Sequence, residues 1–168
     1  GAGDNDPAGL NINTQTNGIY GANFLTVGMA SAQSSDVVGI QFSFSEPGFV
    51  AGMQIADIDD VGYNAPSNAV PVSSFQDSVT LSASLGASNV PVTISGVGSN
   101  VTVTGQTANA NYVSGVAGGV APTDPVGQIT VSASTLIDSF TVAYANGPDD
   151  ATAEASGGQP APHGESDG

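Results

Sequence analysis

The sequence of 168 residues contains no lysine, arginine, cysteine or tryptophan, and it has a single histidine. Because phosphate groups need cationic partners, the lack of lysine and arginine excludes nucleic acid as a partner. The lack of cysteine excludes disulfide bonds, iron–sulfur clusters and thiol nucleophiles. No apolar run approaches the roughly 18 residues that span a bilayer, so we expect no membrane span. The 15 acidic residues are therefore the main charged groups of the chain.

The rest of the composition is typical of a chain that folds, and not of a disordered acidic tail. Hydrophobic residues make up 39% of it and charged residues only 9%. Most of the remainder is glycine, serine, threonine, asparagine and alanine, a mixture typical of secreted surface proteins. Proteases of the trypsin type would find no cleavage site, which suits a long-lived extracellular material. We therefore predict an extracellular or cell-surface location.

Apolar and polar residues alternate along much of the chain, which is the pattern of strands with one wet face. Such sets include Ile40/Phe42/Phe44, Val79/Leu81/Ala83, Val90/Val92/Ile94, Val101/Val103, Ile129/Val131/Ala133 and Phe140/Val142/Tyr144, with further runs at 19–27 and 49–58. The turn residues Glu46-Pro47-Gly48 predict a hairpin between the two strands beside them. No segment has a helical stripe. The pattern predicts an all-β fold, an antiparallel, jelly-roll-like β-sandwich of about eight strands with long loops.

Composition also divides the chain into segments. We predict an N-terminal extension over residues 1–18, a β-sandwich domain over residues 19–146, and an acidic tail rich in glycine and proline over residues 147–168. Within the domain, residues 60–76 and 105–127 are predicted to be long loops. Loops of this length are usually functional or mobile.

Four acidic residues are predicted to meet at one end of the sandwich. Asp57, Asp59 and Asp60 end one strand, and Asp77 opens the strand after the first long loop. Oxygen ligands without histidine or cysteine suit calcium, with backbone carbonyls completing the shell. The four carboxylates therefore form a candidate calcium site. In the alternative interpretation, Asp59 and Asp60 cap a turn and Asp77 accepts hydrogen bonds from loop amides.

Three stretches around these residues carry a resemblance. Residues 42–47 read F-S-F-S-x-P, residues 55–59 read I-x-D-I-D, and residues 75–81 read aromatic-x-D-x-V-T-L. This combination resembles β-sandwich domains of bacterial exported and cell-surface proteins. The resemblance implies an extracellular sandwich with a structural or adhesive role, and it carries over Asp57, Asp59 and Asp77.

Catalysis fits the sequence poorly. The histidine, His163, lies in the tail, where it cannot anchor a catalytic triad in a core. A glycosidase could use Asp57 and Asp77 alone, but no tryptophan is present to stack a sugar. We therefore expect no enzyme activity and no catalytic residues. Asn100 begins the glycosylation sequon Asn-Val-Thr in a predicted turn.

Two functions remain open. The first is a structural protein that self-assembles into a filament, fibre or surface matrix, with copies meeting through sheet edges or terminal segments. Because 15 negative charges on each copy oppose assembly, divalent cations or low pH would have to neutralise them. The alternative is a calcium-dependent adhesin module that binds glycans or surfaces through its two long loops, where Tyr63 and Tyr112 lie.

Overall fold

The computed structural model describes residues 8–15, 24–31, 37–63, 72–111 and 124–148. Within these ranges the chain forms twelve strands that pair antiparallel. Their bounds are β1 Ala8–Gln15, β2 Phe24–Ser31, β3 Val37–Gly48, β4 Met53–Ile55, β5 Asp60–Tyr63, β6 Val72–Leu85, β7 Ser88–Val90, β8 Thr93–Ser95, β9 Val101–Thr104, β10 Thr107–Ala110, β11 Ile129–Ser132 and β12 Ile137–Asn146. The predicted all-β antiparallel sandwich is confirmed.

The larger layer of the sandwich is a seven-stranded sheet. Its strands follow the order β3-β12-β6-β10-β9, and β5 and β7 also pair with β6. The smaller layer has the order β4-β11-β8, and β1 and β2 form a separate two-stranded sheet. Over the described residues, no helix is long and apolar enough to cross a membrane.

The core lies between the seven-stranded and three-stranded sheets. Alternation on β6 places Val79, Leu81 and Ala83 on the core side, where each is at most 6% exposed. Ile129 and Val131 of β11 are fully buried in the same cluster. The alternating sets of the sequence therefore mark the core side of these strands, as the two-residue period of a strand requires.

The predicted hairpin at Glu46-Pro47-Gly48 is wrong. These three residues belong to β3, which pairs with β12, whereas β4 pairs with β11 in the other sheet. Proline is compatible with this position because β3 ends its sheet among the described strands. An edge strand has no second ladder for the missing N–H to break. The chain changes sheets after Gly48 instead of folding back.

Both predicted long loops contain strands. β5 and the start of β6 lie in residues 60–76, and β10 lies in residues 105–127. The Gly105-Gln106 turn joins β9 to β10, and Gly105 takes a positive φ of 62° that favours glycine. β10 escapes the sequence pattern because its core-side residues are Ala108 and Ala110, both fully buried but neither typical of strands. β1 lies within the predicted N-terminal extension.

Candidate functional site

The acidic residues lie around the connection from β4 to β5. Asp57 follows β4 and has a φ of 65°, a left-handed conformation that aspartate tolerates better than most residues. The next residue after this left-handed position, Ile58, lies in the core, where it is 1% exposed. The Ile58 amide donates to the carbonyl of Gly127 at 3.0 Å, which ties the connection to the short 3-10 turn Pro125–Gly127.

Asp77 of β6 holds this connection from the other side. Its Oδ2 accepts a hydrogen bond from the amide of Asp59 at 3.0 Å, and its own amide donates to the Asp59 carbonyl at 2.9 Å. Its Oδ1 accepts from the hydroxyl of Tyr144 on β12. Asp77 therefore accepts a loop amide hydrogen, as the alternative interpretation of the sequence expects.

Burial sets the electrostatics of the group. Asp77 is 3% exposed, and burial raises the pKa of its carboxyl well above the ordinary value. The Tyr144 hydrogen bond opposes this rise in pKa, and the negative charge of Asp59 adds to it. Burial, and then the Asp59 charge, raise the pKa of Asp57 to about 6. Burial also raises the pKa of Tyr144, so its hydroxyl stays protonated and donates to Asp77.

Asp60 and Gln76 complete the polar surroundings of Asp77. Asp60 is 8% exposed and lies opposite Gln76 in the β5–β6 register. Gln76 is 4% exposed, and its Nε2 donates to the carbonyl of Ala110 at 2.7 Å. The backbone carbonyl of Gln76 accepts a hydrogen bond from the backbone amide of Gly147 at 2.7 Å. Gln76 therefore joins the ends of β10 and β12 beside the acidic residues.

Tyr144 and Gln76 are the contributors that sequence reasoning missed. Tyr144 is visible in the sequence only as the end of the Phe140/Val142/Tyr144 alternation. Its role depends on the β6–β12 register, which sets Tyr144 opposite Val79 and Asn146 opposite Asp77. The proximity of Asp77 to Tyr144 thus follows from pairing between strands that are distant in sequence.

The fit of the four acidic residues to a metal ion is limited. No group of three or more histidine or acidic side chains suited to one metal ion occurs in the part of the chain that the structure describes. Both Asp77 oxygens already accept hydrogen bonds. The Oδ1 atom of Asp57 is buried and has no hydrogen-bond partner, so a cation could satisfy it. Calcium binding at Asp57, Asp59, Asp60 and Asp77 stays a prediction.

The acidic residues hold the β4–β5 connection through hydrogen bonds, and their protonation depends on pH. A buried carboxyl with a raised pKa takes up a proton at a mildly acidic pH, where an exposed carboxyl would remain ionised. Protonation of Asp57 or Asp77 lowers the repulsion within the group. The geometry therefore links the stability of this end of the sandwich to pH.

The structure describes only some of the other candidate residues. Asn100 lies just before β9 and is half-buried. Its backbone amide donates a hydrogen bond to the backbone carbonyl of Val126 at 3.0 Å. Its glycosylation stays a prediction. Only the backbone of Tyr63 is described, and Tyr112 and His163 lie outside the described residues. The loop surface of the adhesin alternative therefore also stays a prediction.

Comparison with known proteins adds no relative to this picture. No protein-family model, no curated protein and no solved structure matches the chain.

Proposed function

We propose that this protein is an extracellular structural protomer that assembles with copies of itself into a filament, fibre or surface matrix, with divalent cations such as calcium favouring assembly. The observation that carries the proposal is the open side of β3. β3 is twelve residues long and ends the seven-stranded sheet, with β12 as its one partner among the described strands. An edge of this kind is a template for pairing with another chain.

The first part of β3 lacks the usual protection of an edge. Soluble proteins discourage edge pairing with lysine, proline, inward charges or bulges. Residues 37–43 pair regularly with β12 and carry no charged residue and no proline, whereas a register irregularity, Glu46 and Pro47 protect the strand only between Ser43 and Gly48. Phe44 and Phe49 are 39% and 64% exposed. These features favour contact with a second copy.

Charge supplies the condition for assembly. Each copy carries a formal net charge of −15, and it has no lysine or arginine with which to pair a neighbour's carboxylates. Divalent cations or protons can reduce this repulsion. The buried, unpartnered Oδ1 of Asp57 is one oxygen that a cation could satisfy.

Negative-stain electron microscopy of the purified full chain tests the proposal. At neutral pH with millimolar calcium we expect fibres or sheets, which excess chelator disperses and added calcium restores. Assemblies that are indifferent to chelator would overturn the role of cations and leave self-assembly standing. Dispersed monomers under every condition would overturn self-assembly.

A matched pair of variants tests the role of β3. Ser43 on β3 and Ser82 on β6 are both exposed residues of the seven-stranded sheet. Ser43→Glu adds a charge beside the open edge, whereas Ser82→Glu adds the same charge on the central strand. We expect S43E to suppress assembly and S82E to assemble like wild type. Equal behaviour of the two variants would show that the β3 edge is not the contact.

A further inference from the structure

The end of β12 carries a pair of residues that can react with each other. Asn146 is the last residue of β12, and Gly147 follows it. In an asparagine–glycine pair the backbone nitrogen of the glycine can attack Cγ of the asparagine, because glycine has no Cβ to hinder the approach. The new N–Cγ bond replaces the Cγ–Nδ2 bond, and the proton of the backbone nitrogen leaves with Nδ2 as ammonia. Water then opens the succinimide ring at one of its two carbonyls, which gives aspartate or isoaspartate.

The folded chain restrains both groups that take part in this reaction. The backbone nitrogen of Gly147 donates a hydrogen bond to the backbone carbonyl of Gln76 at 2.7 Å, and Gly147 is buried. The Nδ2 atom of Asn146 is buried as well. Attack on Cγ requires this hydrogen bond to break and the backbone of Asn146 to rotate out of its extended strand conformation. The end of β12 must therefore separate from β6 before the reaction can proceed.

The register of the sheet places Asn146 beside the buried carboxyl of Asp77. The two residues are directly opposite each other in the β6–β12 pairing, and they continue the core-side alternation that ends in Tyr144 on β12 and begins with Val79 on β6. Directly opposed residues of an antiparallel pair share a face and lie in contact range, where like charges are destabilising. Asp77 is 3% exposed. A carboxylate at position 146 would therefore face another carboxyl where little water can separate them.

We propose that Asn146 is a deamidation site which the fold protects, and that its conversion to aspartate or isoaspartate, once the end of β12 has opened, hinders this end from closing again at neutral pH. Aspartate opposes Asp77 through its charge. Isoaspartate also lengthens the main chain by one methylene group, which moves Gly147 out of register with Gln76. The proposal concerns a single copy of the chain and is independent of self-assembly.

Mass spectrometry of the folded and the denatured chain tests the protection. A protease that cleaves after Tyr144 frees residues 145–168, in which Asn146 is the single asparagine. We expect this peptide to deamidate at least about tenfold more slowly in chains kept folded at pH 8 than in chains kept in concentrated urea at the same pH, because the strand end must first open. Equal rates would overturn the protection. A denatured chain that keeps Asn146 intact would overturn the site itself.

Gly147→Ala in concentrated urea tests the route of the reaction. Nothing in the denatured chain depends on how the alanine fits the fold, so the variant reports on the attack alone. We expect deamidation of Asn146 to slow at least about fivefold, since a Cβ hinders the approach of the backbone nitrogen to Cγ. An unchanged rate would show direct hydrolysis of the side-chain amide and would overturn the cyclisation.

A matched pair of variants tests the consequence for the fold. Asn146→Asp is the aspartate product itself, and Asn89→Asp adds the same charge at an exposed position on β7 of the same sheet. We expect N146D to lower the midpoint of thermal denaturation by about 5 °C at pH 8, and N89D to change it by less than about 2 °C. The loss in N146D should shrink at pH 4, where protonation removes the repulsion. Equal midpoints of N146D and N89D at pH 8 would overturn the hindered closing.

Refolding of aged wild-type chain provides a measurement that needs no stable variant. Chains are held in concentrated urea until about half have deamidated at Asn146, and are then diluted into buffer at pH 8. Size-exclusion chromatography separates refolded from unfolded chains, and the peptide of residues 145–168 is analysed in each fraction. We expect intact Asn146 to predominate in the refolded chains and its products in the unfolded ones. The same ratio in both fractions would overturn the hindered closing.

Discussion

β6 and β3 are the two longest strands of the same sheet, and they differ in how fully they are paired. β6 pairs with β12 and, at successive positions, with β5, β10 and β7. β3 pairs with β12 alone within the described residues. The core-side residues Val79 and Leu81 of β6 are buried, but Ile40 of β3 is half-buried. Similar alternating sequences therefore reach different burial because they occupy different places in the sheet.

We expect this difference in pairing to separate substitutions that affect stability from substitutions that affect assembly. The core-side residues of β6 and Asp77 are buried, so we expect substitutions at these positions to lower the stability of the fold. The core-side residues of β3 are only half-buried, so under the proposed self-assembly we expect substitutions there to affect assembly more than folding.

The largest expected effect comes from truncating one core-side residue on each strand. Leu81→Ala removes a side chain that is 1% exposed and leaves a cavity, so we expect it to lower the free energy of unfolding by about 3 kcal/mol. Ile40→Ala removes a half-buried side chain and should cost about 1 kcal/mol. Urea denaturation of both variants under conditions that keep the chain monomeric measures the difference. Equal losses would show that β3 is as well covered as β6.

The next effect concerns the buried carboxylate of β6. Asp77→Ala leaves the Asp59 amide and the Tyr144 hydroxyl without their acceptor, so we expect it to cost about 2 kcal/mol at neutral pH. Asp77→Asn keeps an acceptor for the amide, and the tyrosine hydroxyl can accept from the new amide group. D77N should therefore stay within about 1 kcal/mol of wild type.

The same urea titrations check this pair. A D77N variant as unstable as D77A would show that the negative charge itself, and not hydrogen bonding, stabilises the connection. Glu46→Gln on the exposed end of β3 removes one charge without loss of a buried partner, and it serves as the control for net charge.

The dependence of stability on pH follows from the raised pKa values of Asp57 and Asp77. Between the ordinary aspartate value and the raised one, the folded state binds more protons than the unfolded state, so unfolding releases protons. Stability is therefore highest near pH 4 and falls as the pH rises through about 6, the pKa of Asp57. Because Asp57 is partly exposed, we expect it to contribute only about 1 kcal/mol to this fall.

Thermal denaturation between pH 4 and pH 8 in 0.5 M salt, which screens the surface charges, measures this dependence. Asp57→Asn should flatten the profile. A stability that rises with pH over this range would contradict the burial of these carboxyls.

The smallest expected effect compares two glycines. A Cβ on Gly147, after β12, would overlap Oε1 of Gln76, so Gly147→Ala displaces a buried side chain that donates a hydrogen bond to the carbonyl of Ala110. We expect a loss of about 1 kcal/mol, since the hydrogen bond from Gln76 is weakened. A Cβ on Gly39 of β3 would meet nothing within 4 Å, so Gly39→Ala should change stability by less than about 0.5 kcal/mol. Equal losses in urea titrations would show that the β3 side is as tightly packed as the β6 side.

The fold class was predictable because apolar and polar residues alternate along the strands. Val79, Leu81 and Ala83 alternate with Thr80 and Ser82, and the structure buries the first set. The partners of each strand were less predictable. Glu46-Pro47-Gly48 has the composition of a turn, yet it continues β3, because pairing with β12 and the switch of β4 to the other sheet depend on distant residues.

The candidate site was predictable only as a collection of carboxylates. The sequence shows Asp57, Asp59 and Asp77 close to strand ends, and the structure brings Asp59 and Asp77 into hydrogen-bond contact. Tyr144 could not be assigned to Asp77 from local pattern, since 67 positions separate them and the β6–β12 register brings them together.

The sequence by itself determined the all-β class, the negative charge without basic partners and the faces of the strands, because these depend on residue type and on a period of two. Tertiary structure alone decided which strand became an edge, which carboxyl was buried and which donors reached it. The physical reason is that burial and hydrogen bonding here arise from pairing between segments far apart in the chain, and no local pattern encodes that pairing.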